Sequence, residues 1–474
     1  MTDTRGSDGA AIVAGTASAI RAALSRPALQ SKLSSFVGAI LIGAERDACV
    51  LPVLACAPDW SAIDLAAMPT ARALVLAEPL ASRQSARAVL AAAADARMKV
   101  ALIDGDALRP MTIGDVIGRS LARVDWDRIS AAIAGKRVLI TGGGGSIGGE
   151  LARRITALGP ARLTLLDNSE FNLFSIGREL PDASIALADI RDADSIKRWF
   201  TREKPQLVFH AGALKQVPLV EAHPCEGART NVGGCRNVAD ASLAVGADMV
   251  FVSTDKAVNP SGVMGASKRL GELYCQALDR ESGRKDGPRI ITVRLGNVLG
   301  SAGSVSPLFE RQLEVGVPLT VTDAQVTRFF ITIPQAADFL LQAAAAGLGS
   351  RDARGHAYVL DMGEPLPVVE LARKMIQLTG QRPGKDVDIV FVGLRPGEKL
   401  HEELVAADEW READPAPGVM AAASPPRGLA ELNEIIDRLS LLWRKGADAD
   451  AAAALRAAAA PQRAAPADEL RAAG

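Results

Sequence analysis

Asp255 and Lys256, directly after Val252-Ser253-Thr254, set a carboxyl group and an amine side by side at the end of an apolar run. Such a pair can act as acid and base on one substrate, provided that the aspartate holds a proton and the lysine is neutral. Burial or a nearby cation such as Lys268 would lower the lysine pKa, and the aspartate pKa must conversely be raised. Met264 stands eight residues after Lys256, and Lys268 follows four residues later, which places the two on one helical face. A thioether cannot deprotonate an alcohol, so proton transfer falls to the Asp-Lys pair. By itself such a pair more often caps a strand or helix than catalyses, and the weight lies with what surrounds it.

A second cluster lies upstream. Thr141-Gly142-Gly143-Gly144-Gly145-Ser146-Ile147-Gly148 follows an apolar strand at 136–140 and precedes a helical run at 150–158. Gly142, Gly145 and Gly148 suit a tight turn, close backbone approach to a pyrophosphate, and close helix packing, with the helix N-terminus facing the phosphates. Asp167 ends the next strand about twenty residues on, where a carboxylate accepts from the adenosine ribose and repels a 2′-phosphate. NAD is therefore expected rather than NADP. Asp189 follows the third strand and fits either an adenine contact or a loop cap.

These residues need a frame. Apolar runs at 136–140, 162–167, 184–188, 207–210, 249–253 and 289–295 alternate with helical stretches, which implies a doubly wound parallel α/β sheet. Ahead of it, runs at 37–42, 73–77 and 99–103 with a helical pattern at 82–98 indicate a small β/α domain. Its first strand, read as 37–42, leads into Gly43-Ala44-Glu45-Arg46-Asp47, where charges stand in place of a glycine loop. A structural or oligomerising role is expected there. The expected organisation is a flexible N-terminus at 1–25, the small domain at 26–110, a connector at 111–134, the nucleotide-binding domain with an intercalated substrate part at 135–405, and a C-terminal helix with a low-complexity tail at 406–474. Within the last, 429–443 has a helical pattern and 447–474 is biased enough to read as disordered.

Composition narrows the class. With 48% hydrophobic residues and a net charge of -1, the chain can bury cores and projects no overall positive field toward nucleic acid. Its five cysteines form no C-x-x-C pair and share no zinc-ligand spacing with the four histidines, which suits buried thiols. The polar start, 1–9, is not a signal peptide, and the apolar run 36–44 is too short to span a bilayer. A cytoplasmic protein, at most peripheral to an inner membrane, is expected.

Asp167-Asn168-Ser169-Glu170-Phe171-Asn172-Leu173, His210-Ala211-Gly212-Ala213-Leu214-Lys215, Ser253-Thr254-Asp255-Lys256-Ala257-Val258-Asn259-Pro260 and Leu394-Arg395-Pro396-Gly397-Glu398-Lys399-Leu400 together resemble the bacterial polysaccharide-biosynthesis nucleotide-sugar 4,6-dehydratases. The resemblance is dense over about 110–404. It implies an extended short-chain dehydrogenase fold with a Rossmann sheet, tightly bound NAD or NADP, and conversion of UDP-N-acetylglucosamine or a close UDP-sugar to a 4-keto-6-deoxy sugar. Larger members of that family carry methionine where other short-chain dehydrogenases have the catalytic tyrosine, so Met264 matches a family trait. Two departures stand out: the membrane-spanning helices with which large members begin are not found, and Gly212 and Gln216 replace a more familiar alanine and histidine.

By resemblance, Asp255 protonates the departing C6 hydroxyl, Lys256 takes the C5 proton, Thr254 meets the 4-hydroxyl, and Lys268 binds nicotinamide-ribose hydroxyls. The group that deprotonates O4 stays open among Thr254, a water and Lys268. The cofactor set is Gly142, Gly145, Ser146, Ile147, Gly148, Asp167, Asp189, Ile190, Ala211 and Lys268. Lys215, Asn297, Arg328, Arg395 and Glu398 form the substrate set, the arginines as phosphate forks. Asn231 is expected to brace the central helix. A homo-oligomer is implied. Two other readings remain: a UDP-sugar epimerase, against which Met264 weighs, and a catalytically silent NAD-binding scaffold.

Overall fold

The computed structural model describes residues 10–43, 51–65, 68, 71–80, 82–117, 124–283, 287–350 and 353–461. The polar start 1–9, the charged stretch 44–47, Cys49, part of the connector (118–123) and the end of the tail (462–474) lie outside them. The chain forms two compact units, one from 1–119, 305–326 and 366–393, the other from 120–304, 327–365 and 394–474.

The first unit is built on a six-stranded sheet of order β3-β2-β1-β4-β5-β6, with β1 Ala11–Gly15, β2 Phe36–Ile42, β3 Val53–Ala57, β4 Ala73–Leu76, β5 Lys99–Asp104 and β6 Ala107–Pro110. All pairings are parallel except β5 with β6. Its central strand is β1, buried at all five positions, so the opening strand is Ala11–Gly15 and not 37–42. Ala-Ile-Val-Ala-Gly is short and rich in small residues, and a strand covered on both faces shows no alternation to betray it. The turn after β1 is Gly15-Thr16, where the Thr16 side chain accepts from Ala19 N and caps the helix Ala17–Leu24. Glu78 Oε1 accepts the Thr16 amide over 2.8 Å, so a carboxylate of the chain itself fills this turn.

The second unit holds a nine-stranded sheet. Strands β7 Arg137–Thr141, β8 Arg162–Asp167, β9 Ser184–Leu187, β10 Leu207–His210, β11 Asp248–Thr254 and β12 Ile290–Leu295 run in the order β9-β8-β7-β10-β11-β12, all parallel. Ala357–Leu360 adds in parallel beside β12, and Val419–Ala423 and Trp410–Ala416 close the edge antiparallel. The order reverses between β7 and β10, which creates the crevice at the carboxyl ends where such sheets hold ligands. This is the doubly wound α/β fold expected from the alternation of apolar runs.

One helix organises the far side of that crevice. Val263–Gly283 is buried from Val263 through Asp279 without interruption, polar residues included. Two C-terminal helices, Leu429–Lys445 and Asp448–Ala459, pack on it, the second inside the tail expected to be disordered. Leu432, Ile436, Leu439 and Leu455 join its core. Behind the crevice Arg294 is wholly buried between two carboxylates: Nε donates to Glu272 Oε1 over 2.9 Å and Nη1 to Glu409 Oε2 over 2.6 Å. Arg269 joins both carboxylates, so two cations meet two anions and no charge is left uncompensated. Of the four described cysteines, Cys225, Cys235 and Cys275 are buried free thiols and Cys56 is exposed.

Candidate active site

The glycine turn after β7 is shaped for close approach. Gly142 has φ +68°, and a Cβ there would sit 2.6 Å from Gly212 N. A Cβ on Gly148 would lie 2.1 Å from Gly142 O, so only glycine lets the helix Ser146–Ala157 start so near the strand. That helix has Gly145 as its N-cap with no side-chain cap, which leaves its first amides available to an anion. Asp167, at the end of β8, accepts from Gly144 N over 3.1 Å and from Ser169 N over 3.0 Å. A dinucleotide fits this cradle: the turn has room that any side chain would fill, and the adjoining amides point to phosphate chemistry.

The remaining cofactor-set residues fall around the same crevice mouth. Ala211 follows β10 and donates its amide to Thr141 O over 3.0 Å. Ile190 is buried, and Asn237 Nδ2 donates to its carbonyl over 2.9 Å. Asp189 is committed to Arg191, whose Nη2 donates to it over 2.5 Å. Burial pushes the Asp189 carboxyl up, but the bonds from Arg191 outweigh it and hold the group below its ordinary range. The loop-cap role is thus filled.

At the end of β11 the acid–base pair is assembled as a network. Thr254 Oγ1 donates to Asp255 Oδ1 over 2.9 Å, and Lys256 Nζ donates to the same oxygen over 3.0 Å. Lys256 Nζ also donates to Asn297 Oδ1 over 2.8 Å, which brings the segment two residues past β12 into the site. Asp255 is completely buried, and its Oδ2 has no hydrogen-bond partner among the described residues. Met264 is buried at the start of the central helix and shares a small cleft with Lys256. Gly265 lets that helix approach, since a Cβ there would stand 2.2 Å from Lys256 O.

Lys268 lies in the same helix but turns inward: Nζ donates to Val252 O over 2.8 Å and sits 4.0 Å from the centre of the Phe251 ring. Burial lowers its pKa to about 8. Asn231 braces this region from a π-helical turn, Ala228–Gly234, its side chain exchanging bonds with the Leu214 backbone (2.8 and 2.9 Å) and donating to Ser267 Oγ over 2.9 Å. Glu221 accepts the Val263 amide at the first turn of the central helix.

The expected substrate residues divide. Lys215 reaches Ser301 Oγ over 3.3 Å, and burial lowers its pKa. Arg328 is buried with its fork spent on backbone carbonyls, Nη2 on Lys399 O over 2.8 Å and Nη1 on Leu400 O over 3.1 Å. It braces the segment 394–404 rather than offering two free N–H groups. Arg395 is exposed, and Glu398 Oε2 accepts its backbone amide over 3.2 Å.

One residue that sequence reasoning did not select belongs here. Glu402 Oε1 lies 3.9 Å from Lys256 Nζ and 3.8 Å from Arg328 Nε, and its Oε2 is buried without a partner among the described residues. Burial raises its pKa above the usual carboxylate range, Asp255 adding to the rise and Lys256 opposing it. No motif marks it, and only the segment Leu400-His401-Glu402-Glu403, two residues past the quoted string, contains a hint.

The family model described as polysaccharide biosynthesis protein matches residues 138–424, which hold the glycine turn, the Asp-Lys pair and Glu402. The chain belongs to the polysaccharide biosynthesis protein family. The capsular polysaccharide biosynthesis protein CapD of Staphylococcus aureus is 41% identical over 310 residues, 64% of this chain and 50% of CapD. The chain thus spans half the length of that relative. A UDP-glucose 4-epimerase of Rickettsia rickettsii is 35% identical over 291 residues, 59% of this chain and 80% of the epimerase. Among solved structures, Pen from Bacillus thuringiensis is 30% identical with a TM-score of 0.55, covering 62% of this chain and 91% of Pen. Among the described residues no helix is long and apolar enough to cross a membrane.

Proposed function

We propose that the chain is an NAD-dependent nucleotide-sugar 4,6-dehydratase acting on UDP-N-acetylglucosamine or a close UDP-sugar, in the assembly of a surface polysaccharide. The observation that carries this reading is the partly buried Thr254-Asp255-Lys256-Asn297 network, with Asp255 wholly buried, beside Met264, in a fold whose glycine turn has the shape a dinucleotide needs. The glycine turn with Asp167 would hold NAD, which would supply a hydride acceptor for C4 and a hydride donor for C6.

The chain's own residues handle protons and orientation. Once C4 is a ketone, the C5 proton is acidic enough for an amine, and Lys256, oriented by Asp255 and Asn297, accepts it. Asp255 gives a proton to the C6 hydroxyl as it leaves as water, and its unpartnered Oδ2 is the atom free to do so. Met264 packs against the sugar and takes no proton. Thr254 orients the 4-hydroxyl, and Arg395 and Lys215 contact the diphosphate and sugar. Lys268 places its charge under the nicotinamide ribose after leaving Val252 O.

The epimerase reading draws on the Rickettsia relative. Met264 counts against it, because C4 epimerisation needs a phenol or its equivalent to move the O4 proton in both directions, whereas the adjacent acid and base suit elimination. Incubating the protein with UDP-N-acetylglucosamine and following mass separates the two. Loss of one water supports dehydration; an unchanged mass with an inverted centre supports epimerisation.

A further inference from the structure

The dehydration needs an acceptor for the O4 proton, and Met264 stands where that acceptor would be. We propose that Glu402 is the catalytic group that takes the O4 proton. This inference rests on the dehydratase reading and deepens it.

Three observations carry it. Met264 and Glu402 line the same small cleft, with Lys256 and Gly397. The Glu402 side chain is 3% exposed, yet Oε2 has no partner among the described residues, an arrangement that costs stability unless a ligand completes it. The other oxygen, Oε1, faces Lys256 at 3.9 Å and Arg328 at 3.8 Å, which holds the carboxyl in place and leaves Oε2 the free atom. The charged groups around it are Lys256, Arg328 and Lys399, opposed by Asp255.

The proton balance then closes. The O4–H bond breaks and its proton goes to Glu402 Oε2 as the C4 hydride leaves to NAD. The C5 proton goes to Lys256, the C6–O bond breaks, and Asp255 supplies the proton that makes the leaving group water. Hydride returns to C6 and the Lys256 proton returns to C5, leaving Glu402 protonated and Asp255 ionised. Exchange with solvent once the product leaves returns Glu402 to its ionised form and Asp255 to its protonated form, which resets the site.

The test compares two reactions of the same variant, Glu402→Gln. Forward conversion of UDP-N-acetylglucosamine requires O4 deprotonation; exchange of the C5 proton of the finished 4-keto-6-deoxy product with deuterated water requires Lys256 and no O4 chemistry. The inference expects forward turnover to fall by about 10²–10⁴-fold, the usual worth of a general base, while C5 exchange stays near the wild-type rate. Glu402→Asp should recover part of the forward rate. An unchanged forward rate would overturn the inference, and so would loss of both reactions, which would make Glu402 a support for Lys256. Wild-type protein that exchanges and converts nothing would overturn the dehydratase reading, and this inference with it.

Discussion

Lys256 Nζ donates to Asn297 Oδ1 over 2.8 Å, tying the loop after β11 to the segment two residues past β12. A neutral amide on that side and a carboxylate on the other define where the Lys256 amine points. Replacing Asn297 with Ala removes one of these constraints. A hydrogen bond between neutral groups is worth about 0.5–1.5 kcal/mol, and kcat should fall by up to about tenfold while NAD affinity, measured by titration, stays unchanged. Lys256→Ala should abolish C5 exchange altogether.

The glycine turn makes a separate prediction. Gly148→Ala drives a Cβ to 2.1 Å from Gly142 O, and the helix Ser146–Ala157 must retreat. Overpacking of this kind costs about 1–3 kcal/mol. Calorimetric titration should show weakened NAD binding, whereas Gly159→Ala, at a turn where a Cβ meets nothing within 4 Å, should leave binding intact.

Stability in acid depends on Glu409. Burial alone would raise its pKa, but Arg294 and Arg269 bring it down to about 2 from 4.5. A depressed carboxyl stabilises the fold above its unfolded value and loses that contribution as pH falls, here between about 4.5 and about 2. Urea unfolding at neutral pH should show Glu409→Gln destabilised by about 3–5 kcal/mol, because two arginines then share one carboxylate. The gap from wild type should narrow as pH drops through that window.

The C-terminal helices belong to the core of the second unit. Leu455 is fully buried against the central helix cluster. Leu455→Ala should cost about 2–5 kcal/mol, read as a lower denaturant midpoint, while Leu441→Ala on the exposed face of the preceding helix should change little.

These elements also show what was readable in the chain. The alternation of apolar runs gave β7 through β12, because all but the edge strand β9 are mostly buried along their length and each is bounded by a helix or turn. The glycine turn was legible from its spacing between strand and helix, and the Asp-Lys pair from the motifs that surround it. Ala11–Gly15 was missed because five small and apolar residues near a polar start carry no period. The helix Asp448–Ala459 was hidden by its own composition: an alanine-rich stretch reads as low complexity, yet alanine is the best helix former and lets helices pack closely. Arg328 and Glu402 could not be judged from type, since what each does depends on which atoms its neighbours leave free. A fork facing three carbonyls is a brace, and a buried carboxyl oxygen facing nothing is a reactive candidate.

The most direct test of the account is to incubate the NAD-loaded protein with UDP-N-acetylglucosamine in deuterated water and record proton NMR of the sugar. The account predicts a new C6 methyl signal with deuterium at C5. An unaltered sugar, or one inverted at C4 with its C6 hydroxyl retained, would contradict it.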